Sequence, residues 1–95
     1  MTKKNSPAQK LRKIRFAPDP GTLAEMNFDK DLQVYGLVLN ESSGGFAVVV
    51  MTDKKIPVGA ICQARVGNLS WAPAEVRWSK KLDTNLFKLG LEYDL

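Results

Sequence analysis

Histidine is absent from these 95 residues. Its absence removes the side chain best suited to moving protons near neutral pH, and also the commonest metal ligand. A single cysteine, Cys62, excludes an internal disulfide and any multi-cysteine metal site. No apolar run reaches the roughly 20 residues of a membrane-spanning helix or forms a signal-peptide core, so the chain is expected in the cytoplasm with no membrane insertion. The Asn-x-Ser triplets at Asn40 and Asn68 match a glycosylation acceptor, but without a secretory signal they carry no weight. A glycine-rich phosphate loop with its lysine is missing too. The ten acids fall singly in turns and on outer faces, and the close pair Asp29/Asp31 reads as a solvated turn. These absences argue against an enzyme and against any metal or cofactor, and leave binding as the class to pursue.

Acid is also missing locally. Residues 1–15 contain Lys3, Lys4, Lys10, Arg12, Lys13 and Arg15 and no carboxylate, while the other eight basic residues face ten acids. The net charge of +4 therefore conceals a basic arm on a slightly acidic body. An anionic partner is expected to meet the arm. The division is into residues 1–16, a mostly flexible basic arm, and residues 17–95, one small domain.

Within that domain period-two alternation dominates, and no amphipathic helix is found. Strands are predicted over about Thr22 to Phe28, Leu32 to Leu39, Phe46 to Met51, Ile61 to Val66, Leu69 to Ser79 and Leu86 to Tyr93. Ala72, Ala74, Val76 and Trp78 are placed on one face of the fifth, and the aromatic residues are mostly read as core. Cys62 points inward as a small hydrophobe. Pro73 argues for an edge or a bulge, because proline has no N–H for a ladder. Six evenly spaced strands point to an all-β fold, a small six-stranded antiparallel β-barrel, since closure removes the edges they would otherwise expose.

The stretch with most chemical content is Asn40-Glu41-Ser42-Ser43-Gly44-Gly45, between the apolar runs at Leu37 and Phe46. Short polar side chains and glycine suit a reversal of the chain. Asn40 and Ser42 stand two apart, which aims both side chains the same way. The pattern Asn-x-Ser-x-x-Gly, here Asn40, Ser42 and Gly45, resembles half of the signature of the PilZ domain, a bacterial receptor module for cyclic di-GMP. The Arg-rich segment Arg12-Lys13-Ile14-Arg15 and the closing run Leu89-Gly90-Leu91-Glu92-Tyr93, preceded by Val76-Arg77-Trp78, are similar to that family too. The likeness spans residues 10 to 93.

The resemblance implies a PilZ-like barrel that binds cyclic di-GMP and passes the signal to a downstream protein partner. It implies that Arg12 and Arg15 hold phosphate and guanine, that Asn40 and Ser42 read a guanine edge, and that Gly45 serves by having no side chain. Lys10 and Lys13 would add diffuse attraction. A guanidinium fork suits these targets, pairing with phosphate oxygens or the O6/N7 edge of guanine. One departure is visible: two residues separate Arg12 from Arg15 where the family has three, and counting back from Arg15 lands on Leu11. The chain also stops soon after the closing strand, where the family often adds a helix. Two other readings stay open. One is a PilZ-like protein-interaction module without the nucleotide. The other is a barrel for single-stranded nucleic acid, disfavoured because the cations sit in the arm and not along a groove, so no DNA or RNA partner is expected.

Overall fold

The computed structural model describes residues 21–29 and 32–94 and the backbone of residues 15–16. Seven strands are present: β1 (Arg15–Phe16), β2 (Leu23–Asp29), β3 (Leu32–Ser42), β4 (Gly45–Met51), β5 (Ile61–Val66), β6 (Ala72–Asp83) and β7 (Leu86–Tyr93). Six of them close into an antiparallel barrel in the order β3-β2-β5-β6-β7-β4, with β4 returning to β3. No helix is formed among the described residues, so none is long and apolar enough to cross a membrane.

Alternation sorts each strand between an apolar interior and a wetter exterior. Ala24 and Met26 on β2, Val34 and Val38 on β3, and Cys62, Ala64 and Val66 on β5 are buried, while their sequence neighbours are half-buried or exposed. Phe46, Val48 and Val50 of β4 face Leu89 and Leu91 of β7 and Val76 of β6 within the same core. Most of these side chains are small or β-branched, which suits strands and fills a narrow barrel. Burial pushes the Cys62 thiol up to about 11, as befits a buried hydrophobe.

β3 is longer than its partner. Its pairing with β2 ends at Leu23↔Leu37, and its last residues would otherwise show an open edge on that side. β1 covers this edge, with Arg15↔Ser42 and Phe16↔Glu41 as Cα partners. The last two residues of the basic arm are therefore part of the sheet.

Several boundaries move from those the sequence suggests. Asn40, Glu41 and Ser42 belong to β3 and only Ser43 and Gly44 turn the chain, with Ser42 Oγ accepting from Gly44 N–H at 3.3 Å. β6 starts at Ala72 and runs on through Lys80 to Asp83, so the β6–β7 hairpin projects as an exposed ribbon. Pro73 is neither on an open edge nor in a bulge. Its carbonyl accepts from Asp94 N–H at 2.9 Å, just past the end of β7, so the bond its nitrogen cannot donate is the reciprocal one of this terminal pair.

Candidate functional site

Two bulges shape the outer face around the β3–β4 turn. On β3 the register slips between Val38 and Asn40, and on β6 between Val76 and Trp78. In each case one extra residue, Leu39 or Arg77, reverses the alternation, as bulges do. Val38 and Val76 point into the core. Counting by twos would send Asn40 and Trp78 in after them, but the slip turns both outward.

Cα partners in antiparallel ladders share a face, so register assembles the site in rows. One outer row runs Asn40–Ala47–Gly90–Trp78 across β3, β4, β7 and β6. The next runs Ser42–Gly45–Glu92–Glu75 over the same strands, and Arg15 on β1 extends it beside Ser42. The first row is small at its centre and polar or aromatic at its flanks, and in the second Gly45 is the small member. The result is a cleft of about 430 Å³ with Ala47, Gly45 and Gly90 in its floor, Asn40 and Ser42 along one side, and Arg77, Trp78 and Lys88 along the other.

The expectation that Trp78 lies in the core is overturned. It is 44% exposed, and Trp71 is 41% exposed. The Trp78 indole rests against Gly90, where a Cβ would overlap three of its ring atoms. A glycine flanked by Leu89 and Leu91, opposite an aromatic residue, was the available signal. The bulge that brings the two together leaves no mark in the sequence pattern. Lys88 Nζ lies 6.0 Å from the ring centroid of Trp78, at the limit of a cation–π contact.

The charges around the cleft are uneven. Arg77 Nη1 is held by Glu92 at 3.3 Å and touches Glu75 at 3.9 Å, whereas Lys88 is in no ion pair among the described residues. Beneath the turn, Tyr93 O–H donates to Glu41 Oε2 at 3.4 Å, and its ring lies 5.7 Å from that of Phe46. Burial foremost, and then the Glu41 carboxylate, push the Tyr93 hydroxyl up to about 12. These groups close the end of the barrel below the cleft.

Gly45 has a structural demand of its own. A Cβ there would collide with the Leu91 carbonyl oxygen and sit 3.0 Å from Glu92 Cα, so β7 passes too close for a side chain. Of the expected ligand residues, Asn40, Ser42 and Gly45 share the cleft and the backbone of Arg15 pairs beside it. Lys10, Arg12 and Lys13 lie outside the described residues. Arg77, Trp78 and Lys88 were not anticipated. Among the described residues no group of three acidic or cysteine side chains is placed to hold a metal ion. In comparisons with known proteins, no family and no curated protein matches the chain.

Proposed function

We propose that the chain is a cytoplasmic, non-enzymatic receptor for cyclic di-GMP of the PilZ type, with the cleft between the β3–β4 turn and Trp78 as its binding site. The observation that carries this reading is the register Arg15↔Ser42, which puts the end of the arginine-bearing arm beside Ser42, two residues along β3 from Asn40. The cleft volume of about 430 Å³ falls within the range of about 300–1,000 Å³ usual for small-molecule sites.

The roles follow from chemistry. Asn40 has a carboxamide that offers an acceptor and donors together, the match needed by the edge of guanine, which mixes both. The Ser42 hydroxyl accepts from Gly44 N–H and keeps its own proton to donate. Trp78 supplies a flat apolar face against which a purine stacks, worth about 1–3 kcal/mol per base. Lys88, which has no acid partner among the described residues, would meet the phosphates, and Arg15 and Arg12 would do so from the arm. A dianionic ligand there relieves the mutual repulsion of the arm's cations and fixes the segment before Arg15 over the cleft. That surface, formed only with ligand bound, is what a protein partner would detect. Ordering the segment consumes part of the gross interaction, so micromolar affinity is expected.

Calorimetric titration of cyclic di-GMP into the wild type and into Arg15→Ala, Asn40→Ala and Trp78→Ala tests this. Loss of the stacking face is expected to weaken binding by about 5- to 150-fold. Equal heats from all four proteins would end the proposal. A folded wild type that takes up no nucleotide would favour the interaction-module reading, to which the short Arg12/Arg15 spacing already points. Oligonucleotide binding that falls steeply with salt and shows no preference for guanine dinucleotides would favour single-stranded nucleic acid.

A further inference from the structure

Among the described residues, every lysine lies in the turn after β4 or on the β6–β7 hairpin. Lys54 and Lys55 lie in the turn after β4, while Lys80 and Lys81 on β6 and Lys88 on β7 belong to the projecting hairpin. Lys80 and Lys88 are Cα partners. Like charges directly opposite one another weaken a strand pair, so the sequence tolerates a cost here. A second cleft of about 340 Å³ is lined by Lys54, Lys55 and Lys81, with Ile56 and Phe87. The acids of this region are Asp53 and Asp83. Among the described residues none of the five lysines is in an ion pair, whereas Arg65 and Arg77, the other cations whose side chains are described, are both paired.

Apolar side chains project from the same place. Met51, the last residue of β4, is 76% exposed, and Leu82 is 45% exposed. Leu82 is the extra residue of a bulge between Lys81 and Asp83, and Met51 and Asp83 are both Cα partners of Leu86. Met51 and Leu82 therefore project from the same end of the sheet, on strands that flank β7.

We infer that this end of the β6–β7 hairpin is a docking surface for an anionic lipid membrane, on which the domain lies without spanning it. Lysine carries a compact, strongly hydrated charge on a flexible stem, suited to diffuse attraction by a charged plane. Protein interfaces deplete lysine and use arginine and aromatic anchors, and the lining of the second cleft has no arginine and no exposed aromatic residue. Single-stranded nucleic acid asks for aromatic platforms along a groove, and Phe87 is instead half-buried in the cleft floor. Electrostatic attraction or one inserted chain alone holds a protein weakly, and the two together hold it stably. Met51 and Leu82 are the second half of that pair. The inference is independent of the nucleotide reading, since neither the lysines tested below nor the two apolar residues line the first cleft.

Cosedimentation of the full chain with vesicles of phosphatidylcholine mixed with phosphatidylserine, against phosphatidylcholine alone, tests it. The wild type is expected to pellet with the anionic vesicles only and to be released by salt. Combining Lys54→Gln, Lys55→Gln and Lys81→Gln is expected to weaken binding about a hundredfold, roughly fivefold for each lysine. Met51→Ser with Leu82→Ser is expected to weaken it at unchanged salt dependence. Because the arm has cations of its own, Lys3→Gln, Lys4→Gln and Lys10→Gln together form the control and are expected to retain most of the binding. All substituted patch positions are exposed, and circular dichroism reports whether each variant keeps the barrel. Binding that survives loss of the patch lysines but not of the arm lysines overturns the inference. So does equal binding to both kinds of vesicle, or capture of polyglutamate or an oligonucleotide by a chain that ignores vesicles.

Discussion

Gly45→Ala separates two explanations of one glycine, absence of a side chain for a ligand or for a neighbouring strand. The new Cβ would meet the Leu91 carbonyl oxygen and Glu92 Cα, both backbone atoms of β7 that no side-chain rotation can move away. β4 and β7 would have to part at the rung Gly45↔Glu92, and the bond from Tyr93 N–H to Gly44 O, 2.9 Å long, would go with it. One or two ladder bonds at about 1 kcal/mol each, with about 1–3 kcal/mol of overpacking strain, give a loss of about 2–5 kcal/mol. For a domain of this size, that lowers the melting temperature by about 10–40 °C. Thermal unfolding followed by circular dichroism and tryptophan emission measures it, with Ser42→Ala as a partner expected to shift by only a few degrees. A Gly45→Ala protein that melts with the wild type yet has lost nucleotide binding would refute the ladder argument and assign the glycine to the ligand.

Two further outcomes concern the body of the barrel. The Cys62 thiol has its folded value raised from 9.0 to about 11, so the folded state keeps the proton longer than the unfolded one. Its contribution, of the order of 2–3 kcal/mol, is whole below pH 9 and is lost as the pH rises towards 11. Tyr93 acts with the same sign from 10 towards 12. Urea unfolding at stepped pH should show stability declining from pH 9 in the wild type and less steeply in Cys62→Ala; a wild type flat between pH 9 and 10 would contradict this. Arg65 binds Glu25 through Nε at 3.1 Å and Nη2 at 2.5 Å, and lies 4.9 Å over the Trp71 ring. With the Arg65 side chain 40% exposed, solvent screens the pair, and Arg65→Met is expected to cost about 1 kcal/mol. A double-mutant cycle with Trp71→Ala that proves additive would remove the stacking share of that figure.

The barrel was legible wherever one face of a strand is dry and the other wet. Ile61–Val66 and Leu86–Tyr93 are recovered to the residue, because Cys62, Ala64 and Val66 alternate with polar neighbours and Phe87, Leu89 and Leu91 with Lys88 and Glu92. Lys80 to Asp83 read as a loop because the hairpin leaves the barrel there and both of its faces are solvated, which erases the alternation. Asn40 and Ser42 read as turn because their residue types favour turns, while their places on β3 are imposed by pairing with Ala47 and Gly45. Trp78 was misplaced because periodicity cannot announce a slip of one residue. The lysine patch escaped a count of charge for a different reason: its members are far apart in sequence and only the β4–β7 and β6–β7 pairings unite them.

The bulges also explain how one short chain keeps its fold and its cleft independent. Interior rows such as Val38–Val48–Leu89 are wholly apolar and are sealed by closure of the barrel, so they need nothing from the outer face. The outer row Asn40–Ala47–Gly90–Trp78 has small residues in its middle and leaves a hollow that the core does not require. Substitutions at Asn40, Ser42 or Trp78 should therefore alter ligand uptake with little change in stability, whereas those at Gly45 should alter both. If Asn40→Ala and Trp78→Ala instead unfolded the protein as readily as a core truncation such as Leu89→Ala, which costs about 2–5 kcal/mol, the outer row would be a structural cap and the cleft an accident of packing.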